Sequence, residues 1–420
     1  MKTIESMPVF LLCCLLLQLS PAPLRGAASE PVDFQRARAL FEKRQRGEPL
    51  SADEQAYVIR AMAAQKAAKA KQANKGEAAK TGSTLPVSDP KIVAALVPLD
   101  ELTGGYKAES GGLYGDGRNT PPPAHLAAYL AESKKIQPLD AEGRPAKNGR
   151  VVLLSIGMSN TTMEYSRFKQ VADADPEKSP QVVIVDGAKG ARTGLAWSLD
   201  GLEFLPAGEE QRLVAELAKA GVGARKGFGD TWTGAEAKLA ASGVTARQVQ
   251  ALWIKQAEAR PSALGEFPAH ARILQASLVN ILNIARHHYP NLRVAYLSSR
   301  IFGGYATTPL NPEPYAYEEA FSQRWVIRDQ IKGEPRLNYD PARGEVKAPI
   351  VVWGPYLWAN GTTPRKSDGF AWSLDDFVTS DRTHPDTTAR QKVADLLLRF
   401  LKTDAGAKSW FIKSEANAGR

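Results

Sequence analysis

The fold of this chain is decided by the stretch Val151-Val152-Leu153-Leu154-Ser155-Ile156-Gly157-Met158-Ser159-Asn160. Its first six residues are almost all apolar, and a glycine then introduces a turn that presents a serine. A short continuous apolar run, without alternation of apolar and polar residues, is typical of a strand in a parallel sheet covered on both faces. The stretch therefore predicts a buried parallel strand that ends in an accessible serine.

Four further apolar runs of similar length follow, separated by stretches with helical spacing. The runs lie at 181–185, 249–254, 293–297 and 349–353, and helices are predicted at 272–287 and 388–401. This alternation predicts the α/β class, here a three-layer α/β/α fold with a mostly parallel central sheet. Ligand sites in such sheets form at the carboxyl ends of the strands, where Ser159, residues 187–190 and Gln256 lie.

A leader, a helical segment and a lead-in precede this predicted domain. Lys2, a short apolar run and small residues up to Ala28 predict a cleaved secretory signal peptide, with an uncleaved membrane anchor as the alternative. Ser51 and Glu54 have the spacing of a helix capping box. The predicted segments are 1–28 (signal peptide), 29–85 (small helical hairpin and basic Ala/Lys-rich linker), 86–147 (irregular Gly/Pro-rich lead-in), 148–405 (α/β domain) and 406–420 (C-terminal tail).

Charge and cysteine content limit the classes of function. The chain has 54 Lys and Arg against 45 Asp and Glu, and much of the basic excess lies between Arg36 and Lys80. This segment predicts either contact with an anionic cell-envelope surface or a solvated linker, and no zinc-finger, RNA-binding or helix-turn-helix pattern supports nucleic acid. Both cysteines lie in the predicted signal peptide, so an exported mature chain has no disulfide, cysteine nucleophile or thiolate metal site.

A second stretch supplies the residue types that activate a serine. Ser380-Asp381-Arg382-Thr383-His384-Pro385 precedes the last predicted helix. A serine hydroxyl needs a base to take its proton, and a third group must hold that base in one tautomer. We therefore expect Ser159 as nucleophile, His384 as base and Asp381 as its orienting carboxylate. The alternatives are a turn or N-cap serine and a loop histidine beside a capping aspartate.

These stretches resemble blocks of the SGNH (GDSL-type) hydrolase superfamily. Within it they are similar to carbohydrate esterases of the sialate O-acetylesterase-like group, whose first block is Gly-Gln-Ser-Asn. Gly157–Asn160 resembles that first block, and Asp381–His384 matches the family's last block, Asp-x-x-His. The resemblance covers about residues 148–403. It implies the SGNH-like fold with a flavodoxin-like sheet, a serine mechanism and an acylated carbohydrate substrate.

The two middle blocks of the family imply an oxyanion hole. Residues 186–193 are similar to the second block, and Gly190 is the glycine whose amide the resemblance implies as a donor. The third block, Trp-x-Gln-Gly-Glu, is approached by residues 253–258, which have one extra residue and alanine in place of glycine. The implied donors are therefore the amides of Ser159 and Gly190 together with Gln256. The alternative for Gln256 and Glu258 is a structural or substrate-lining role.

Polar and aromatic residues near the strand ends are the candidates for substrate contact. Flat aromatic rings can stack on sugars, and core or lid packing is the alternative for the aromatic loop 354–361. Arg300 is expected either to recognise an acidic sugar or to form a salt bridge. The candidate substrate-binding residues are Asn160, Trp197, Glu258, Arg300, Tyr356 and Trp358.

The sequence thus predicts an exported serine esterase that removes short acyl groups, most simply acetyl, from carbohydrate. No cofactor and no metal are expected, because the histidines lack ligand spacing and His287 and His288 end a predicted helix, where they complement its dipole. One alternative is an esterase or lipase of another substrate class. The other is a catalytically weak carbohydrate-binding or envelope-associated protein with the same fold.

Overall fold

The structure is a computed structural model. It describes residues 87–413 except 206, 207, 220, 222, 224 and 225, together with residues 33, 36, 40, 43, 51, 53, 54, 57, 58 and 61. The chain divides into two compact units, one up to Thr81 and one from Gly82 onward. The predicted signal peptide, the Ala/Lys-rich linker and the end of the predicted tail lie outside the described residues.

The described residues of the N-terminal unit include a capped helix start. The Ser51 hydroxyl accepts a hydrogen bond from the Glu54 amide at 3.2 Å, and the Glu54 carboxylate accepts one from the Ser51 amide at 2.8 Å. This is the reciprocal capping box that the sequence predicts. A small apolar cluster accompanies it, made by Leu40, Tyr57, Val58 and Ala61. The helical hairpin as a whole stays a prediction, because most of its residues are outside the described set.

The second unit begins with a lead-in that is more regular than the sequence indicates. It contains the helices α1 (Pro90–Ala95) and α2 (Pro123–Ser133) and a two-stranded antiparallel hairpin of β1 (Gly105–Tyr106) and β2 (Glu109–Ser110). The run of prolines at 121–123 was part of the Gly/Pro-rich pattern that predicts an irregular lead-in. Its last proline instead starts α2, where the missing N–H and the fixed φ favour a helix.

A five-stranded parallel sheet forms the centre of the second unit, as predicted. Its strands are β3 (Val151–Gly157), β4 (Val182–Val185), β5 (Val249–Lys255), β6 (Val294–Leu297) and β7 (Ile350–Trp353). They are hydrogen-bonded in the order β4-β3-β5-β6-β7, and each neighbouring pair is parallel. All residues of β3 and β5 are buried, which accounts for their continuous apolar runs.

Helices flank this sheet and cover its apolar strands. They are α3 (Ser159–Asp173), α4 (Gly194–Leu199), α5 (Glu209–Lys219), α6 (Thr231–Ala241), α7 (Ala269–His288), α8 (Tyr315–Lys332), α9 (Thr387–Thr403) and α10 (Lys408–Phe411). Helix α3 packs against α9, whereas α7 packs against α4, α5 and α8. The fold is therefore α/β, and the arrangement is compatible with the predicted three layers. None of the described helices has the length and hydropathy needed to cross a membrane.

The strand order determines where a ligand site is expected. Numbering the five strands by chain order gives 2-1-3-4-5, the flavodoxin-like order, in which the chain winds in opposite directions from the first strand. The crevice then opens at the carboxyl ends of the first and third strands, here β3 and β5. Ser159 follows β3 and Gln256 follows β5, so both lie at this switch point.

Candidate active site

Ser159 is held at the start of α3 by a tight turn that only glycine permits. A Cβ atom at Gly157 would lie 2.2 Å from the Thr161 hydroxyl and 2.5 Å from the Lys255 carbonyl oxygen. The Thr161 hydroxyl accepts from the Met158 amide at 3.3 Å and donates to the Lys255 carbonyl at 2.7 Å. The turn is thus fastened to the end of β5, which fixes the direction of the serine side chain.

The packing of α3 against α9 brings the serine turn and the segment 380–385, which carries the aspartate and the histidine, close together. Helix α3 begins at Ser159, and α9 begins at Thr387, three residues after His384. The Ser159 Oγ and His384 Nε2 atoms are 2.8 Å apart, although 225 residues separate them in sequence. The His384 Nδ1 atom lies 2.5 Å from Asp381 Oδ2. Serine, histidine and aspartate therefore form a continuous hydrogen-bonded relay.

The Asp381 carboxylate is oriented by more than the imidazole. Its Oδ1 atom accepts hydrogen bonds from the Thr383 amide at 2.9 Å and the His384 amide at 3.0 Å. Burial raises the pKa of this carboxyl, but the hydrogen bonds from the His384 side chain and the two amides lower it by more, so the net effect is a lowered pKa. Asp381 is therefore charged at neutral pH and accepts from Nδ1, which leaves Nε2 to face the serine.

The loop that carries His384 is tied to the serine helix by Asn160. The Asn160 Nδ2 atom donates to the Thr383 carbonyl at 3.0 Å, and its side chain is 2% exposed. The adjacent Arg382 has a φ of 49°, in the left-handed region, so this loop holds a conformation that a non-glycine residue rarely adopts. The sequence suggested Asn160 for substrate contact, whereas in the structure its side-chain amide donates a hydrogen bond that positions this loop.

A second carboxylate, Asp186, fixes the other side of the serine turn, and sequence reasoning missed it. It accepts from the hydroxyls of Ser155 on β3 at 2.7 Å and Ser166 on α3 at 2.9 Å, and also from the Thr162 hydroxyl. The Ala188 amide donates to it at 3.2 Å. Asp186 therefore joins β3, α3 and the loop after β4. Its place directly after a strand was the available sign.

The predicted oxyanion donors lie at the ends of three adjacent strands. Gly190 is exposed on the loop after β4, and the amide of the preceding Lys189 donates to the Gly157 carbonyl at 3.1 Å. Ser159 is in the first turn of α3, where backbone N–H groups have no intrahelical acceptor. Gln256 is fully buried, and neither of its amide atoms has a partner among the described residues.

Four of the predicted substrate-binding residues have the contacts of structural residues. Trp197 is completely buried and donates to the Gly157 carbonyl at 3.1 Å, and Glu258 accepts from the Leu195 amide at 2.8 Å. The Tyr356 hydroxyl accepts from the Leu99 amide at 3.0 Å. Trp358 Nε1 donates to the carboxylate of Glu313 at 2.7 Å. These contacts match the packing alternative; sugar contact by these residues stays a prediction.

A buried ion pair under the serine turn also escaped sequence reasoning. Lys255, the last residue of β5, contacts both carboxylate oxygens of Glu164 on α3 at 2.5 Å, and both side chains are fully buried. Burial lowers the pKa of Lys255 to about 8, against the opposing effect of Glu164. The pair fastens α3 to the end of β5. No sequence pattern predicts this ion pair, because its two residues are 91 positions apart in the chain.

Comparisons with known proteins add nothing to this geometry. No family model matches the chain, and no curated protein matches it. Within the described part of the chain, no group of three or more acidic or histidine side chains has the arrangement of a metal site. The relay of Ser159, His384 and Asp381 at the switch point therefore carries the functional argument.

Proposed function

We propose that the protein is an exported serine esterase that removes short acyl groups, acetyl in the simplest case, from carbohydrate. The supporting observation is the relay in which Ser159 Oγ lies 2.8 Å from His384 Nε2 and His384 Nδ1 lies 2.5 Å from Asp381. Its position at the switch point of a flavodoxin-like sheet, and the order of the sequence blocks, favour the SGNH type and a substrate like that of the sialate O-acetylesterase-like enzymes.

The relay supports acyl transfer through the serine. Ser159 Oγ attacks the ester carbonyl carbon while His384 Nε2 takes the hydroxyl proton. As the tetrahedral intermediate collapses, the bond to the sugar oxygen breaks and His384 returns the proton to that oxygen. Water then attacks the acyl-enzyme, His384 takes a proton from it, and the acid leaves while Ser159 regains its proton. Asp381 stabilises the imidazolium during both halves of the cycle.

The negative charge that develops on the carbonyl oxygen needs donors that are already in position. The amides of Ser159 and Gly190 are proposed for this role, with Gln256 as a third donor. The Gly190 amide has no acceptor among the described residues, and Ser159 lies at the N-terminal, positive end of α3. Donors fixed before the reaction stabilise the charge without reorganising.

The proposal is tested by labelling with a fluorophosphonate probe, which phosphonylates only an activated serine with loss of fluoride. We expect the folded wild type to be labelled, and Ser159→Ala and His384→Ala to remain unlabelled. Heat-denatured wild type serves as the control for nonspecific reaction. A folded wild type that resists the probe would contradict the esterase proposal and favour a carbohydrate-binding protein with this fold.

The role of Asn160 gives a second expected result. Asn160→Ala removes the hydrogen bond to the Thr383 carbonyl and releases the loop that carries His384. Because displacement of a catalytic group by about 1 Å costs on the order of 100-fold, we expect kcat for acetyl ester hydrolysis to fall by roughly that factor while KM changes little.

The matched control is Asn280→Ala. Asn280 is also 2% exposed, and its amide also donates one hydrogen bond, to the Ser198 hydroxyl at 2.9 Å, but it lies on α7. This variant should keep its kcat even if it loses stability. A raised KM with unchanged kcat in Asn160→Ala would instead support the substrate contact that the sequence suggested.

A further inference from the structure

One buried arginine near the relay lacks the contacting carboxylate that the other buried lysine and arginine side chains have. The described part of the chain buries five lysine and arginine side chains, and four of them contact a carboxylate: Arg192 with Asp230, Lys255 with Glu164, Arg324 with Glu109 and Arg365 with Asp368. The fifth is Arg300, which is 2% exposed. Among the described residues no carboxylate lies within ion-pair distance of its guanidinium.

The hydrogen bonds of Arg300 are also incomplete. Its Nε donates to Asn311 Oδ1 at 3.0 Å, and its buried Nη1 has no acceptor among the described residues. A buried charge without a counterion is costly, because the interior does not replace the hydration that the group loses. A group kept at this cost is expected to receive an anion during function.

The carboxyl groups near Arg300 are committed to other partners. Glu319 accepts from the Glu258 amide at 2.7 Å and from Asn311 at 3.0 Å, and Glu313 accepts from the Gly303 amide and from Trp358. Burial raises the pKa of Glu319 to about 8 and that of Glu313 to about 7. At neutral pH these groups therefore compensate Arg300 only in part.

Gln256 is the second buried group without partners in this region. It follows β5, and Arg300 follows the neighbouring β6; the Ser298 amide donates to the Ile254 carbonyl at 3.0 Å where the two strands end. Neither Nε2 nor Oε1 of Gln256 has a partner among the described residues. The Gln256 amide thus offers N–H donors and an acceptor oxygen at the end of the strand next to the one that Arg300 follows. The Asp381 charge acts on Arg300, which places Arg300 in the region of the relay.

We infer that Arg300 and Gln256 form a carboxylate-binding subsite next to the reactive serine. Arg300 would bind the carboxylate through its free N–H groups, a geometry that a planar guanidinium supports and an ammonium does not. Gln256 Oε1 would accept a hydrogen bond from a hydroxyl of the same ligand, which favours an acidic sugar and leaves Nε2 for the proposed oxyanion role. The other source of a carboxylate is the acid that deacylation releases. Naming the substrate or the product as the source of the carboxylate rests on the proposed esterase function. Binding of a carboxylate to Arg300 can be measured without any turnover.

The test measures binding by calorimetry to the wild-type protein at constant ionic strength. The probes are sodium glucuronate against glucose, and sodium acetate against acetamide, so each acid has a neutral counterpart. We expect the acids to bind and the neutral compounds to bind at least roughly tenfold more weakly, the factor expected for losing a hydrogen bond to a charged group. Tighter glucuronate binding indicates the substrate's carboxylate, and binding of acetate alone indicates the product.

Arg300→Lys keeps the charge but removes the planar fork, and we expect it to weaken binding of the acid by about tenfold or more. Arg324→Lys makes the same exchange at another buried arginine and should leave binding unchanged. Equal binding of acid and neutral counterpart, no binding of either acid, or unchanged affinity in Arg300→Lys would overturn the inference. Probe labelling of Ser159 is read separately, so a failed subsite and a failed esterase are distinguishable.

Discussion

Replacing Ser159 with alanine is expected to lower kcat for acetyl ester hydrolysis by about a million-fold, the size of effect found when the nucleophile of a serine relay is removed. The hydroxyl that Ser159→Ala removes lies 2.8 Å from His384, and no other serine hydroxyl contacts this imidazole among the described residues. His384→Ala should cost a similar factor, because a serine without a base is a poor nucleophile. Residual turnover then comes from the oxyanion donors and from binding.

The sharper expectation concerns the double variant. In the proposed mechanism serine and histidine act as one unit, so Ser159→Ala/His384→Ala should be no slower than either single variant. Additive losses would show that the two residues act independently and would contradict the relay. The measurement is steady-state release of p-nitrophenol from p-nitrophenyl acetate. The remote variant Ser242→Ala, which loses only a hydroxyl bonded to the Lys238 carbonyl, should keep full activity.

The sheet was predictable because its signals are local. Each strand of the parallel sheet is a short apolar run, and the five predicted runs agree with β3–β7 within one residue at either end. Helix α9 was likewise predicted within two residues at either end. Burial of a strand on both faces requires apolar residues in succession, so the sequence alone carries the information.

Part of the candidate relay was predictable for the same reason. Asp381 and His384 are three residues apart, and their contact is made within one turn of chain. The approach of Ser159 required an additional argument, the rule that sites form where strands end at a switch point. The resemblance of the blocks pointed to the same three residues.

The hydrogen bonds and ion pairs that surround the relay could not be predicted. Their partners are distant in sequence, and they are residue types that usually lie on the surface. Glu164 and Lys255 look like solvated charges until the fold buries both. The sequence suggested Tyr356 for contact with a sugar, but its hydroxyl accepts a hydrogen bond from the Leu99 amide in the lead-in, 257 residues earlier in the chain. Burial that results from the packing of helices and strands far apart in the chain produces no periodic pattern in the sequence.

The second large effect is expected for Asp381→Asn, which should lower kcat by about ten-thousand-fold while leaving the fold intact. An asparagine in this position still accepts the amides of Thr383 and His384 through its carbonyl oxygen. Its NH₂ group then faces His384 Nδ1 and favours the tautomer whose proton is on Nε2. That proton faces Ser159, so the imidazole can no longer accept the serine proton, although every distance in the relay is nearly unchanged.

The control for this variant is Asp386→Asn, five residues further along the same segment. Asp386 caps α9 by accepting from the Thr388 amide at 2.8 Å, and asparagine caps a helix about as well as aspartate does. It makes the same chemical change without touching the tautomer of His384, so its kcat should stay near that of the wild type. If Asp381→Asn also kept its turnover, the contact between Asp381 and His384 would serve only to shape the loop, and the base would need no orienting charge. A loss confined to Asp381→Asn, with equal thermal stability in both variants, would assign the effect to the protonation state of His384, because the loop and the helix cap are retained in each protein.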